Sequence, residues 1–255
     1  MKGLKTVFVQ EEKREMNIKF IDTKDINNNK FHITEEYEYT NGKYRIRPDI
    51  ILFINGFPVA VVEAKGPYVK EGITKAFNQI KRYHREGPEL MAVLQIYSLT
   101  HLIRYFYSPT WNLSEKGLLN WKDEKKGNFE EVVKAFIDRA HISRVISDFI
   151  LFSRSDDELK KVVMRPHQMR AVSKLVERAS DPNKKRGLIW HTQGSGKTYT
   201  MILTAKALLE NQVLQNPTVL MLVDRNELES QLFGNLSSIG IDYLEVTESK
   251  DHLRR

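Results

Sequence analysis

Apolar and polar residues alternate from Lys5 to about Lys65, and a period of two predicts β-strands rather than helices. The short runs KTVFVQ, NIKFID and KFHITEEYEYT precede the longer runs KYRIRPDIILFI and FPVAVVEAK. Asn41-Gly42 and Asn55-Gly56 separate several of these runs. Asn-Gly favours two-residue hairpin turns, because both turn positions take a positive φ. The segment is therefore predicted to form an antiparallel meander.

A helical period follows the strands. The stretch EGITKAFNQIKRYHRE has apolar residues at helical spacing, at Ile73, Ala76, Phe77, Ile80 and Tyr83. LMAVLQIYS and HLIRYFYS are predicted as further strands, and NFEEVVKAFIDRAHISRVISDFILF as a helix. Together these segments predict a mixed sheet flanked by helices in residues 1–155.

After the polar stretch SRSDDELKK the order of elements changes, and we place a domain boundary near residue 155. A helix over RPHQMRAVSKLVERAS is followed by an apolar strand RGLIW and a helix KTYTMILTAKALLE. The strand TVLMLVD and the helix RNELESQLFGNLS come next. Strands that alternate with helices predict a parallel, doubly wound sheet, so residues 156–255 are interpreted as a second α/β domain.

The stretch HTQGSGKTYT, residues 191–200, lies between an apolar strand and a helix, as a phosphate-binding loop requires. Its glycines let backbone N–H groups point at phosphate oxygens, and the helix that follows adds the positive end of its dipole. His191 replaces the first glycine of the pattern G-x-x-x-x-G-K-[ST], a variation found in helicase-type loops. The residues predicted to bind ATP with Mg²⁺ are Gln193, Gly194, Ser195, Gly196, Lys197 and Thr198.

Two features flank this loop. Gln168 precedes it on a predicted helix, and its amide could read the adenine edge by donating and accepting hydrogen bonds. Asp224 and Arg225 end the next apolar strand, in LVDRNEL, and resemble a DNA-contacting motif of motor proteins. No Asp-Glu pair ends an apolar strand after Thr198. We therefore expect residues 156–255 to be the first part of a RecA-like motor domain, in an N-terminal fragment of a longer chain.

Three charged residues stand within the strand-like stretch RPDIILFINGFPVAVVEAKGP. Asp49 opens the first strand, while Glu63 and Lys65 close the second and share one face, because side chains alternate along a strand. Two carboxylates can hold Mg²⁺, which activates water for phosphodiester hydrolysis, and a lysine can stabilise the negative charge that develops. Asp49, Glu63 and Lys65 are thus predicted to be catalytic, with Asp49 and Glu63 as metal ligands. The plainer interpretation is a partly buried ion pair.

The helix after these strands favours the catalytic interpretation. Gln79 and Tyr83 are four residues apart and lie on one helix face, with lysines and arginines around them. An amide and a phenol among cations suit support of a nuclease site or contact with DNA phosphates.

Composition adds limits but no mechanism. The chain has a formal net charge of +7, most of it in residues 1–155, which is compatible with a nucleic-acid partner. The absence of cysteine excludes thiol catalysis, zinc thiolate sites and disulfides. No signal peptide and no membrane-spanning apolar stretch are found, so the cytoplasm is the expected compartment.

Over about residues 30–235 the chain resembles the restriction (R, motor-nuclease) subunit of type I restriction–modification enzymes. RPDIILFINGFPVAVVEAK resembles the PD-(D/E)xK nuclease core of that family, QIKRY its Q-x-x-x-Y element, and IWHTQGSGKTYTM with LVDRNELESQL its first motor motifs. The resemblance implies cleavage of double-stranded DNA with Mg²⁺, ATP-dependent translocation, and modification and specificity subunits as partners. It leaves open whether Glu11, Glu12, Glu15 or Glu35 completes the metal site.

Three alternatives remain at the level of sequence. A RecB-like repair nuclease-helicase shares the Q-x-x-x-Y element, although the order of nuclease before motor favours restriction. The first domain could instead be a catalytically inactive DNA-binding clamp fused to a helicase, with no role for metal at Asp49. In the third alternative, the three charges are an ion pair in an assembly interface.

Overall fold

The computed structural model describes residues 5–121, 128–155, 158–184 and 186–222, together with residues 232, 234 and 236. The chain divides into two compact units, Met1–Ile150 (unit 1) and Leu151–Arg255 (unit 2). This division falls five residues before the position expected from the polar stretch, because residues 151–155 belong to a strand that pairs with the one after it.

Unit 1 contains most of the strands. They are β1 (Lys5–Val9), β2 (Arg14–Ile18), β3 (Phe31–Glu35), β4 (Tyr39–Thr40), β5 (Arg45–Ile46), β6 (Ile50–Ile54), β7 (Phe57–Lys65), β8 (Ile96–His101), β9 (Arg104–Pro109) and β10 (Leu119–Asn120). Its helices are α1 (Gly72–Glu86), α2 (Pro88–Val93), α3 (Phe129–Ile137) and α4 (Arg139–Asp148).

A six-stranded sheet in the order β10-β9-β8-β7-β6-β3 forms the centre of unit 1. Its neighbouring strands are antiparallel except for β7 and β8, which are parallel and joined by a crossover that contains α1 and α2. The predicted mixed sheet with helices is therefore confirmed. The expected meander is only partly correct, since β1 with β2 and β4 with β5 form separate two-stranded sheets.

Helix α1 packs its apolar face on the central strands β7 and β8. The buried residues of that face, Ala76, Phe77, Ile80 and Tyr83, have the spacing that the sequence predicted. Burial of a side chain such as Phe77 or Ile80 stabilises the fold by about 1.5–3 kcal/mol each. This packing fixes α1 against the carboxyl half of β7, where the predicted catalytic residues lie.

Several local predictions for unit 1 were wrong. Four residues, not two, join β4 to β5, and of the pair Asn41-Gly42 only Gly42 has a positive φ, because the Asn41 side chain closes the loop by accepting the N–H groups of Lys43 and Tyr44. Residues 90–93, the first part of the predicted strand LMAVLQIYS, belong instead to α2, whose first residue is Pro88. The long helix predicted over residues 128–152 is split, because the carboxylate of Asp138 caps a new helix.

Unit 2 contains β11 (Ile150–Ser155), β12 (Glu158–Val163), α5 (Pro166–Ser180) and α6 (Lys197–Leu209). The two helices confirm the prediction and pack on each other. Residues 186–190 and 218–222, expected in a parallel sheet, are not in strands. A strand requires a hydrogen-bonded neighbour, and Leu188 and Trp190 are instead 85% and 86% exposed. The helix predicted after LVD lies outside the described residues except at positions 232, 234 and 236, which are helical.

Within the described ranges, no helix is both long enough and apolar enough to cross a membrane.

Candidate functional site

Two adjacent strands place the predicted catalytic residues of unit 1 side by side. Asp49 directly precedes β6, and Glu63 and Lys65 lie at the end of β7. Ile50 of β6 is paired with Val62 of β7, so the ladder brings Asp49 next to Glu63. The backbone N–H of Asp49 donates to Glu63 Oε1 at 3.2 Å. The β6–β7 hairpin therefore joins residues that are fourteen positions apart in the sequence.

The three charged side chains converge on one point. Lys65 Nζ lies 3.2 Å from Glu63 Oε2 and 3.7 Å from Asp49 Oδ2. Asp49 Oδ2 also accepts the backbone N–H of Ala64 at 2.8 Å. Glu63 is 0% exposed, whereas Asp49 and Lys65 are partly exposed. The site consequently has a buried carboxylate at its base and a second carboxylate and an ammonium group open to solvent.

Tyr83 of α1 supports the buried carboxylate from above the sheet. Its hydroxyl donates to Glu63 Oε1 at 2.7 Å and lies 3.0 Å from the carbonyl oxygen of Arg47. Gln79 Nε2 donates to the same hydroxyl at 2.7 Å. The expected phosphate contact is wrong for Tyr83, because its side chain is completely buried. The supporting role expected of Gln79 and Tyr83 agrees with this geometry.

The hydroxyl of Tyr83 has one proton and two neighbouring acceptors, Glu63 Oε1 and the Arg47 carbonyl. When Glu63 is ionised, the proton can go to Glu63. When Glu63 is protonated, it can donate to Tyr83, whose own proton then goes to Arg47. The arrangement can therefore satisfy both protonation states of Glu63 without moving a backbone atom.

Burial raises the pKa of Glu63 to about 7, and the negative charge of Asp49 acts in the same direction. The hydrogen bond from Tyr83 and the positive charge of Lys65 oppose this increase in pKa. Burial also raises the pKa of Tyr83, with a further contribution from Glu63. A carboxyl group with a pKa near neutral pH in a charged cluster is typical of functional sites.

The donor atoms of this site fit a hard divalent cation. Mg²⁺ is usually bound by one or two protein carboxylates and completes its octahedral shell with water. Asp49 and Glu63 supply two such carboxylates, and they lie close together because each has an oxygen within 4 Å of Lys65 Nζ. No group of three or more His, Asp or Glu residues with metal-binding geometry occurs in the part of the chain that is described. None of the upstream glutamates that the sequence left open, Glu11, Glu12, Glu15 and Glu35, completes such a group.

The second candidate site is the loop between residue 190 and α6. Gly194 and Gly196 have φ values of 73° and 80°, as the predicted phosphate loop requires. Helix α6 begins at Lys197, whose side chain is exposed, so the helix N-terminus and an ammonium group lie together. Gln193 is exposed and Thr198 is half-buried.

The first turn of α5 holds this loop. Gln168 is buried, its Oε1 accepts the N–H of Arg165 at 2.8 Å, and its Nε2 donates to the Gly196 carbonyl at 2.9 Å. The adjacent His167 has its Nε2 3.0 Å from the Ser195 carbonyl. Two neighbouring side chains thus contact two consecutive carbonyl groups of the loop, and the predicted contact of Gln168 with adenine stays a prediction.

Sequence reasoning missed some of these contacts. His167 stood in the motif RPHQ, but a lone histidine beside Gln168 gave no signal of its partner, which is a backbone carbonyl. The contacts through the carbonyl of Arg47 and the N–H of Ala64 are also backbone contacts and leave no trace in residue identity. Asp224 and Arg225, predicted to contact DNA, lie outside the described residues.

Two family profiles match the chain. Residues 1–114 match the family described as "Type I restriction enzyme R protein N terminus (HSDR_N)". Residues 167–255 match the family described as "SWI2/SNF2 ATPase". The restriction-subunit match precedes the ATPase match along the chain, which is the order of the two motif groups that the sequence indicated.

Individual relatives give the same result. Two provisionally named type I restriction enzyme endonuclease subunits of Methanocaldococcus jannaschii, MjaVIIP and MjaVIIIP, are 34% and 37% identical over 90% and 84% of this chain. The type I restriction enzyme SsaAORF53P endonuclease subunit of Staphylococcus saprophyticus is 30% identical over 87% of the chain. The matches span 23%, 22% and 24% of these relatives, so the chain corresponds to about a quarter of their length. The resemblance predicted from the motifs is confirmed.

Proposed function

Because the chain is related over most of its length to endonuclease subunits of type I restriction enzymes, we propose that unit 1 carries a metal-dependent DNA-cleaving site and unit 2 part of an ATP-driven motor. The observation that carries the nuclease proposal is the convergence of Asp49, Glu63 and Lys65, with Glu63 fully buried. The spacing and the strand arrangement support a PD-(D/E)xK site.

Asp49 and Glu63 would hold Mg²⁺, which when bound activates water and offsets negative charge on the phosphate. Lys65, on the exposed side of Glu63, can orient a water molecule and stabilise the developing charge through its ammonium group. Tyr83 fixes one oxygen of Glu63, which leaves Oε2 to face Lys65. Removal of Tyr83 would therefore disturb the geometry of the site without removing any reacting group.

For unit 2, the loop of residues 193–198 would bind the phosphates of ATP, with Lys197 on the outer phosphates and Thr198 at the position of a bound Mg²⁺. The contacts of Gln168 and His167 to the loop support a preformed phosphate site. In a RecA-like motor, ATP turnover would drive translocation along double-stranded DNA. The relatives' names imply a multisubunit restriction complex, and we propose modification and specificity subunits as partners.

Direct measurement of metal binding tests the nuclease proposal without depending on absent subunits. Isothermal titration with Mn²⁺ and electron paramagnetic resonance are expected to show binding by the wild-type chain. Asp49→Asn should bind at least about tenfold more weakly, because even the loss of an outer-shell partner of a metal ligand typically costs that much. Glu131→Gln, which removes an exposed carboxylate of α3, is the matched control. Equal Mn²⁺ binding by Asp49→Asn, or none by the wild type, would favour an inactive clamp or a structural ion pair.

A parallel test applies to the motor site. Lys197→Ala is expected to abolish binding of a fluorescent ATP analogue, while Lys174→Ala, an exposed lysine of α5, leaves it unchanged. Binding that survives Lys197→Ala would contradict the assignment of residues 193–198 to ATP phosphates.

A further inference from the structure

The turn between β8 and β9 is built from residues that such turns disfavour. His101 is paired with Arg104, so only Leu102 and Ile103 form the turn, and Leu102 has a φ of 56°. A bulky side chain in the left-handed region is strained, and the other two-residue turn of this sheet, between β6 and β7, places Asn55-Gly56 at its positive φ values. Among the described residues, every other non-glycine residue with positive φ is polar.

Packing does not explain this choice of residues. Leu102 is 53% exposed and Ile103 is 83% exposed, so neither gains the burial that would offset the strain. Tyr68, in the loop between β7 and α1, is 97% exposed. Single exposed apolar residues are ordinary, but strain that the fold does not require is concentrated at functional sites.

The three exposed side chains lie at the edge of the sheet that carries the candidate nuclease site. Strands β7 and β8 are parallel, and Lys65 is paired with His101, so both strands end at the same edge. Tyr68 lies three residues beyond Lys65, and Leu102 directly follows His101. The ring of His101 packs against Gly72 at the start of α1, which keeps the turn and the helix N-terminus together.

Exposed cations flank these apolar side chains. Lys70 precedes α1, Lys75 lies in its first turn, and Arg104 follows the turn between β8 and β9. No ion pair involves any of these three cations within the described part of the chain, although Glu71 directly follows Lys70 in the sequence. Apolar side chains surrounded by cations are complementary to duplex DNA. The cations can bind its phosphates, and the apolar side chains can insert between its base pairs.

We propose that Leu102, Ile103 and Tyr68 form an apolar wedge that contacts the bases of duplex DNA next to the cleavage site. This inference rests on the proposed nuclease function and adds to it how the DNA substrate is bound next to the cleavage site. Lys70, Lys75 and Arg104 contact the flanking phosphates, and the wedge enters the minor groove and unstacks a base step. Leu102 is strained at this position, and its apolar side chain at the tip of the turn is what inserts between the base pairs.

The decisive variant replaces Leu102 by Asn, which tolerates positive φ, and Ile103 by Gly, which removes the second apolar side chain. The wild-type chain and the variant are compared with calcium in place of magnesium, to prevent cleavage. Affinity for a fluorescein-labelled duplex is measured by anisotropy, and unstacking by the fluorescence of 2-aminopurine within the duplex. Leu113→Asn, which alters an exposed residue beyond the opposite end of β9, is the matched control, and Tyr68→Ser is a second test variant.

We expect the Asn-Gly variant to have an unchanged or higher Tm and about tenfold weaker duplex affinity, roughly the effect of one lost stacking contact. It should also lose the 2-aminopurine signal, and Tyr68→Ser should weaken binding without lowering Tm. Unchanged affinity in both variants would overturn the wedge, leave the nuclease proposal intact, and point to a protein partner for this surface. A large fall in Tm of the Asn-Gly variant would make the turn structural and also overturn the proposal. If the wild-type chain binds no duplex at all, the wedge is overturned, whereas the nuclease proposal is decided separately by the Mn²⁺ measurement on Asp49→Asn.

Discussion

Replacement of Glu63 by Gln should change how the stability of the metal-free protein depends on pH. The ordinary pKa of a glutamate is 4.5, and burial raises that of Glu63 to about 7 in the folded state. The folded state therefore favours the protonated carboxyl group, which is present in both states below pH 4.5. Between pH 4.5 and about 7 the unfolded state has lost this proton while the folded state keeps it, so the free energy of unfolding falls over this range and levels off above about pH 7. A glutamine side chain has no proton to lose in this range, so Glu63→Gln lacks this loss of stability.

The magnitude follows from the difference between the two pKa values. One pKa unit corresponds to about 1.4 kcal/mol, so a rise from 4.5 to about 7 amounts to about 3 kcal/mol. The free energy of unfolding of Glu63→Gln minus that of the wild type should thus increase by up to about 3 kcal/mol between pH 5 and pH 8.

Urea denaturation in EDTA, followed by tryptophan fluorescence, measures this difference. A Trp190→Phe background removes the fluorophore of unit 2 and leaves Trp111 and Trp121 as reporters of unit 1. The control Glu131→Gln should show no such pH dependence. A difference between Glu63→Gln and wild type that stays flat from pH 5 to pH 8 would refute the argument that burial controls Glu63. A difference that falls with pH would show that Tyr83 and Lys65 stabilise the anion more than burial penalises it.

Three further predictions concern the contacts around the two sites. Tyr83→Phe removes the donor to the buried carboxylate and should lower the free energy of unfolding, measured in urea, by about 1–3 kcal/mol. The control Tyr97→Phe removes a buried phenol hydroxyl that donates to a backbone carbonyl and should lower it by about 1 kcal/mol. Equal losses would argue against a special role of Tyr83. Gly196→Ala places a Cβ 2.4 Å from the amide of the glutamine on α5 and should abolish binding of a fluorescent ATP analogue, while Gly194→Ala, with nothing within 4 Å, should weaken it less. His167→Phe keeps an aromatic ring but loses the donor to the loop carbonyl, and it should weaken ATP binding. His167→Gln has a side-chain donor and should bind ATP more tightly than His167→Phe. Equal ATP affinity of the two variants would show that the hydrogen bond does not contribute to ATP binding.

Some of the candidate site could be predicted from residues alone, because spacing within one element is a local property. Alternation along a strand indicated that Glu63 and Lys65 share a face, and the four-residue spacing indicated the same for Gln79 and Tyr83. Both pairs are in contact in the structure. The Asn55-Gly56 turn also predicted the hairpin that brings Asp49 to Glu63.

Other features depended on neighbours distant in sequence. The segments RGLIW and TVLML have the apolar character of buried strands, yet residues 186–190 and 218–222 are not paired, because a strand exists only through its neighbours. Asn41-Gly42 resembled a hairpin turn, but the side chain of Asn41 closes a longer loop. The sequence pattern alone does not show whether strand pairing or a local side-chain hydrogen bond will form at such a position.

The sequence by itself determined which residues can share a face, which loop is predicted to bind phosphate, and which family the motifs resemble. Only the tertiary structure decided that the face of Tyr83 meets the face of Glu63, because the crossover from β7 through α1 to β8 sets the helix over the strand end. Burial at this position removes Glu63 from water and raises its pKa, although the hydrogen bond from Tyr83 opposes the increase, so the pKa depends on surroundings rather than on residue type. The strained, exposed turn at Leu102 was likewise visible only in three dimensions, since φ and exposure are set by pairing with β9.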